Sequence, residues 1–223
     1  MPSLDSEIHT QMLQHGQLAR GFASRVRMAM RALIGKAPVY GMEWGDPEYV
    51  PPLTYVRDHF LAPYVSASTT IVEIGPGGGR WTRYMLGAQR IYAVDYHQEL
   101  LDELQKNLGR RNITFVKNNG DDFPGVPDRS VDLVFSFGCF VHLDTDIIAR
   151  YLDNIRRLLK PDANVVLQYS DKTKPLAQEN PGFSDNDPER MRALVLSNAY
   201  AIREEDTCTL WHSAVVRFGL PSS

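Results

Sequence analysis

The 223-residue chain carries 24 Lys+Arg against 27 Asp+Glu, a net charge of −3, with 43% apolar and 23% charged residues. This composition excludes a disordered or fibrous chain and argues against a nucleic-acid binder, which is usually basic. The length fits one domain, or one domain with an extension. Two cysteines, Cys139 and Cys208, make neither a disulfide framework nor a CxxC zinc pattern. The apolar run 131–143 contains Asp132 and His142 and is too short to cross a bilayer. The first residues lack the basic start of a secretion signal, so a cytoplasmic location without membrane insertion is expected.

Residues 1–52 differ in texture from the rest and are expected to form an amino-terminal helical cap. Leu18, Phe22, Val26, Met30 and Leu33 recur at helical spacing, with Arg20, Arg27 and Arg31 on the other side. The cap ends in the Gly/Pro-rich stretch 40–52. From residue 53 to 223 the pattern alternates. Segments 70–74, 90–94, 112–116, 131–136 and 164–169 predict strands, and 80–86, 97–108 and 144–159 predict helices between them. A further helix is expected from Pro188 to about Asn198. Segments 200–204 and 210–218 then read as a closing hairpin. The expected fold is α/β: a Rossmann-like, seven-stranded, mostly parallel sheet with an antiparallel carboxy-terminal hairpin.

The first expected strand runs directly into Gly75-Pro-Gly-Gly-Gly-Arg80. Glycines after a strand allow a sharp turn and a close approach of ligand to backbone. A dinucleotide GxGxxG fingerprint would need glycine at position 80, where Arg80 stands. The pattern is instead ExGxGxG, with Glu73, Gly75, Gly77 and Gly79. A carboxylate beside this loop opposes a pyrophosphate but suits a cation, and S-adenosylmethionine carries both an ammonium and a sulfonium. Asp95 ends the second strand, 20 residues beyond Gly75, where an acceptor-only carboxylate can take ribose hydroxyls.

With Asn119-Gly-Asp-Asp-Phe123 after the third strand, the chain resembles the class I S-adenosylmethionine-dependent methyltransferases over residues 65–219. The resemblance implies S-adenosylmethionine as cofactor. It implies that Asp121 accepts from the adenine amine and that Asp122 offers a backbone N–H. It adds Tyr96 and Phe137 to the cofactor contacts. Further motifs, Trp44-Gly-Asp-Pro47, Gly78-Gly-Arg-Trp-Thr82 and Val141-His-Leu143, are similar to small bacterial methyltransferases of polysaccharide synthesis. That likeness implies a short methylated mannoside as acceptor.

His142 follows the fourth strand at the carboxyl edge of the sheet and is the candidate general base. Cys139 lacks the Pro-Cys pair of cytosine methylation and reads as a small buried hydrophobe. Asp171, with Asp144, could hold Mg²⁺ through oxygens, although Lys172 replaces the second acid of the usual pair, so metal use stays open. The long loop 171–186 offers Lys, Gln and Asn groups, and Glu43, Trp44, Tyr169 and Asp171 are candidate acceptor contacts. Polar groups beside aromatics suit a carbohydrate. A lipid, quinone or aromatic acceptor, or a non-catalytic cofactor-binding module, remain the alternatives.

Overall fold

The computed structural model describes residues 39–221. The basic helix expected around Leu18–Leu33 lies outside the described residues. Seven strands form one sheet in the order β3-β2-β1-β4-β5-β7-β6. They are β1 Thr70–Ile74, β2 Arg90–Asp95, β3 Ile113–Lys117, β4 Val131–Ser136, β5 Leu159–Ser170, β6 Ala201–Asp206 and β7 Ser213–Gly219. The first five are mutually parallel, and β7 inserts antiparallel between β5 and β6. The Rossmann-like mostly parallel sheet with its carboxy-terminal hairpin is therefore present.

A strand period of two sends alternate side chains to opposite faces, and the central strands β1, β2 and β4 are buried on both. On one face Val72, Ile74, Tyr92 and Val94 pack against Ile148, Tyr151, Leu152 and Ile155 of α3 (Thr145–Arg156) and Met191 and Val195 of α5 (Pro188–Ser197). The intervening Ile71, Ile91 and Ala93 face the other way. They meet Leu53 and Val56 of α1 (Pro51–Val56), Phe60, Leu61, Trp81 and Leu104 of α2 (Gln98–Leu108). Each such side chain contributes roughly 1.5–3 kcal/mol on burial. The short helix α4 (Pro175–Gln178) interrupts the long loop after β5.

Two of the expected helices differ from the sequence expectation. Residues 80–86 form no α-helix but successive tight turns, with a 3₁₀ turn at Thr82–Tyr84 closed by Tyr84 N–H to Trp81 O and Met85 N–H to Thr82 O. Trp81 is drawn into the core and the Thr82 hydroxyl onto Glu73, which shortens the turn. The helix expected through residue 159 stops at Arg156, because Leu159 pairs with Val131 and already belongs to β5.

Candidate active site

Parallel strands deliver their carboxyl ends to one edge, and the strand order reverses between β1 and β4. Open α/β sheets bind ligands at that reversal. Ser136 at the end of β4 donates to Ile74 O at 2.8 Å, stitching the two strands together there. Beyond β1, Gly75 and Gly77 adopt positive φ of 69° and 53°. A Cβ on Gly75 would stand 2.7 Å from Cys139 Cβ, and one on Gly77 2.9 Å from the Tyr40 ring. Glycine is thus required twice, for conformation and for room. Gly79 completes the loop, which α2 holds through Asn107 Nδ2 donating to Gly78 O at 3.0 Å.

The acids expected at this edge lie along it. Glu73 is buried, accepts from the Thr82 hydroxyl at 2.6 Å, and is pushed up to about 8, chiefly by burial and also by Asp95. Asp95 is buried at the end of β2 and accepts from His97 N–H at 2.8 Å. Tyr96 beside it is exposed, with Lys117 Nζ 4.4 Å from its ring centre. Asp122 accepts from Asn119 N–H at 2.7 Å and closes the turn after β3. Asp121 takes Arg150 Nε at 2.6 Å on Oδ2 and Asn154 Nδ2 on its backbone carbonyl. Asn118, fully buried, gives Nδ2 to the Tyr151 hydroxyl while its Oδ1 has no partner. This acid-rich row, with an orphaned acceptor at the β3 end and glycines that admit close approach, fits a cationic cofactor with an adenosine end.

Across the loop lie Glu43, Trp44 and Phe137, which the sequence assigned to the site, with Tyr40 and Arg80, which it did not. The segment before α1 folds over the glycines: Tyr40 N–H donates to Glu103 Oε1 at 2.8 Å, and Gly78 N–H to Tyr40 O. Burial, with Glu43 and Asp95 nearby, pushes the Tyr40 hydroxyl up to about 12. Glu43 accepts from Gly41 N–H, and Trp44 stands edge-on to Tyr40 at 5.3 Å. Phe137 is buried against Trp81, ring centres 4.5 Å apart. Arg80 is buried among Trp44, Trp81 and Phe137. Its position just after the glycines was the only signal for it in the sequence. Burial pushes the Cys139 thiol up to about 12, so it stays protonated and is no nucleophile.

His142 sits in the 3₁₀ turn Phe140–His142 after β4. Its Nδ1 lies 2.7 Å from Gly182 O, in the loop after β5. Burial holds its pKa below the ordinary histidine value, partly offset by that carbonyl. Phe183 stands between His142 and His212, ring centres 5.4 and 5.2 Å away. His212 is pushed down to about 4 by burial, Lys174, His142 and Arg80.

Two of the expected acceptor contacts have partners within the protein. Tyr169 is fully buried, and its hydroxyl donates to Glu205 Oε1 at 2.6 Å. Asp171 is buried, takes the Thr173 hydroxyl at 2.6 Å, and has Lys174 Nζ at 3.4 Å. With its charge answered internally, it does not fit a Mg²⁺ site shared with the exposed Asp144. Among the described residues no group of three or more His, Cys, Asp or Glu side chains is arranged to hold a metal. The loop lysines also turn inward: Lys172 donates to Ala177 O and Asn180 O, and Lys174 to Leu210 O and Ser213 O. They pin the loop so that Gly182 and Phe183 meet His142.

The fold recurs in solved methyltransferases. The CcbJ methyltransferase from Streptomyces caelestis is 16% identical with a TM-score of 0.62, covering 80% of this chain and all of its own (100%). A SAM-dependent methyltransferase from Aquifex aeolicus is 16% identical with a TM-score of 0.57, covering 76% and 89%. The mitomycin 7-O-methyltransferase MmcR is 18% identical with a TM-score of 0.58 over 72% of this chain. The match spans only 52% of MmcR. No curated protein sequence matches. Among the described residues no helix is long and apolar enough to cross a membrane. Residues 71–162 match a family model described as a methyltransferase domain, and the chain has the fold of solved S-adenosylmethionine-dependent methyltransferases.

Proposed function

We propose that the protein is an S-adenosylmethionine-dependent O-methyltransferase that methylates a hydroxyl of a small sugar acceptor, with His142 as general base. The observation that carries this reading is the contact between His142 Nδ1 and Gly182 O. A carbonyl only accepts, so Nδ1 holds the proton and Nε2 keeps its lone pair. Burial keeps the ring neutral at physiological pH. The cofactor, when bound, supplies a methyl group on cationic sulfur. Glu73, Asp95, Asp121 and Asp122, with Gly75, Gly77 and Gly79, would hold it, and Tyr96 and Phe137 would border it. The chain's remaining task is to align a hydroxyl with that methyl, exclude water and receive the hydroxyl proton at Nε2.

Trp44 with the neighbouring Glu43, and separately Phe183 between the two histidines, combine ring faces with hydrogen-bonding groups, which supports a carbohydrate acceptor. A cytoplasmic enzyme acting on a methylated mannoside is the specific form of this reading. The likeness to mitomycin 7-O-methyltransferase favours a second one, an aromatic natural-product hydroxyl. Transfer of labelled methyl to a panel of methylated and unmethylated oligosaccharides, quinones and phenols separates the two. Methyl ethers on oligosaccharides alone are expected. Labelling of phenols or quinones alone rejects the sugar.

A further inference from the structure

S-Adenosylmethionine is not simply a cation. Its methionine end also carries a carboxylate, which the acids at the ends of β2 and β3 would repel. A site built for the whole cofactor therefore needs one cation at that end, desolvated with it.

Arg80 is the residue immediately after Gly79, and it is only 6% exposed. Its guanidinium lies 5.6–5.8 Å from the ring centres of Trp44, Trp81 and Phe137. Its Nη2 is 3.5 Å from the place a Cβ on Gly138 would occupy, and the next residue, Cys139, packs on Gly75. The guanidinium thus faces across the glycine loop toward the end of β4. Five N–H donors are available on this group, yet among the described residues its hydrogen bond to protein is a single long one, Nη1 to Gly45 O at 3.4 Å. Glu43 and Asp46 lie near enough for their charges to act on Arg80, but neither forms an ion pair with it. Asp46 is fully buried and pairs with Arg83, and Glu43 accepts from Gly41 N–H. Among the described residues no carboxylate pairs with Arg80. A buried guanidinium without an anion is costly, and a bidentate carboxylate is the partner that its fork geometry fits best.

We propose that Arg80 is the receptor for the carboxylate of the cofactor's methionine end. The assignment rests on the S-adenosylmethionine reading and adds to it the anionic half of the site. It also accounts for Arg80 at the position where a dinucleotide fingerprint would carry glycine. In this fold that position turns a side chain back over the loop.

The test is calorimetric titration of the full chain with S-adenosylhomocysteine and with its decarboxylated analogue, which keeps adenosine, thioether and ammonium. Wild type is expected to prefer S-adenosylhomocysteine by about tenfold or more. R80Q should lose ~10–100-fold for S-adenosylhomocysteine and stay within about twofold for the analogue, with R80K intermediate because an ammonium cannot fork. Wild type that binds both ligands equally overturns the proposal without any variant. So does R80Q that binds S-adenosylhomocysteine like wild type, which would hand Arg80 to an acidic group on the acceptor. Equal weakening of both ligands in R80Q also overturns it, as a packing effect. Wild type that binds neither ligand rejects the cofactor reading itself, a distinct failure.

Discussion

His142 joins a proton fixed on Nδ1 by Gly182 O to a ring that burial keeps neutral. If Nε2 is the base, His142→Gln should lower kcat by roughly 10²–10⁴-fold and leave S-adenosylhomocysteine affinity unchanged. Turnover and titration on the same sample check both halves. The active form is the neutral ring, and burial lowers its pKa. The acid limb of kcat/KM should therefore fall below the ordinary histidine value of about 6.5. A limb at neutral pH or above contradicts the assignment. Glu73 behaves in the opposite sense. Its folded pKa, about 8, lies above the usual carboxylate range, so the folded chain holds a proton that the unfolded chain releases. Stability from this proton is complete below about 4.5 and lost as pH rises toward 8, on the order of a few kcal/mol for a group this buried. Glu73→Gln keeps the shape of the protonated acid. Its melting temperature should gain on wild type between pH 5 and 8 and then level off; parallel curves contradict it.

The glycine loop and the segment crossing it act as one element, because each leaves the other no spare room. Gly75→Ala would put Cβ 2.7 Å from Cys139 Cβ at a φ of 69°. We expect a loss of about 1–3 kcal/mol in denaturant unfolding and weaker cofactor binding. An unchanged midpoint would mean that β4 yields freely. The loop itself was legible in the sequence, because glycines after a β-branched run leave few alternatives. The turn over 80–86 was not. Its apolar spacing reads as helical, and only the burial of Trp81 and the Thr82–Glu73 bond decide otherwise. The strap at Tyr40–Trp44 gave a Gly/Pro-rich signature of irregular structure. Which surface it covers depends on Glu103, over sixty residues away. Tyr169 and Asp171 show the converse. Their place at the end of β5 is right, but partners from β6 and from their own loop claim the side chains.

At the scale of the whole molecule, a charge of −3 conceals a division. Acids gather at the ends of β1 to β3, and one buried arginine stands opposite them beside neutral histidines. Strand positions and alternation were readable because apolar periodicity fixes which residues enter each face. The acceptor side is assembled from loops after β4 and β5 and from residues ahead of β7, so long-range packing rather than spacing brings His142, Phe183 and His212 together. Those histidines also shape acid stability. Their folded pKa values lie below the unfolded one, so the stability they contribute is present above about 6.5 and falls as pH drops toward 4. The central claim is hydroxyl methylation with His142 as base. Its most direct measurement is methyl transfer from labelled S-adenosylmethionine to the oligosaccharide panel, with wild type and His142→Gln compared and products identified by mass. A methyl ether formed by wild type and nearly lost in the variant, with cofactor affinity intact, is the predicted result. A variant as active as wild type, or no methyl ether on any oligosaccharide from cofactor-loaded wild type, would contradict it.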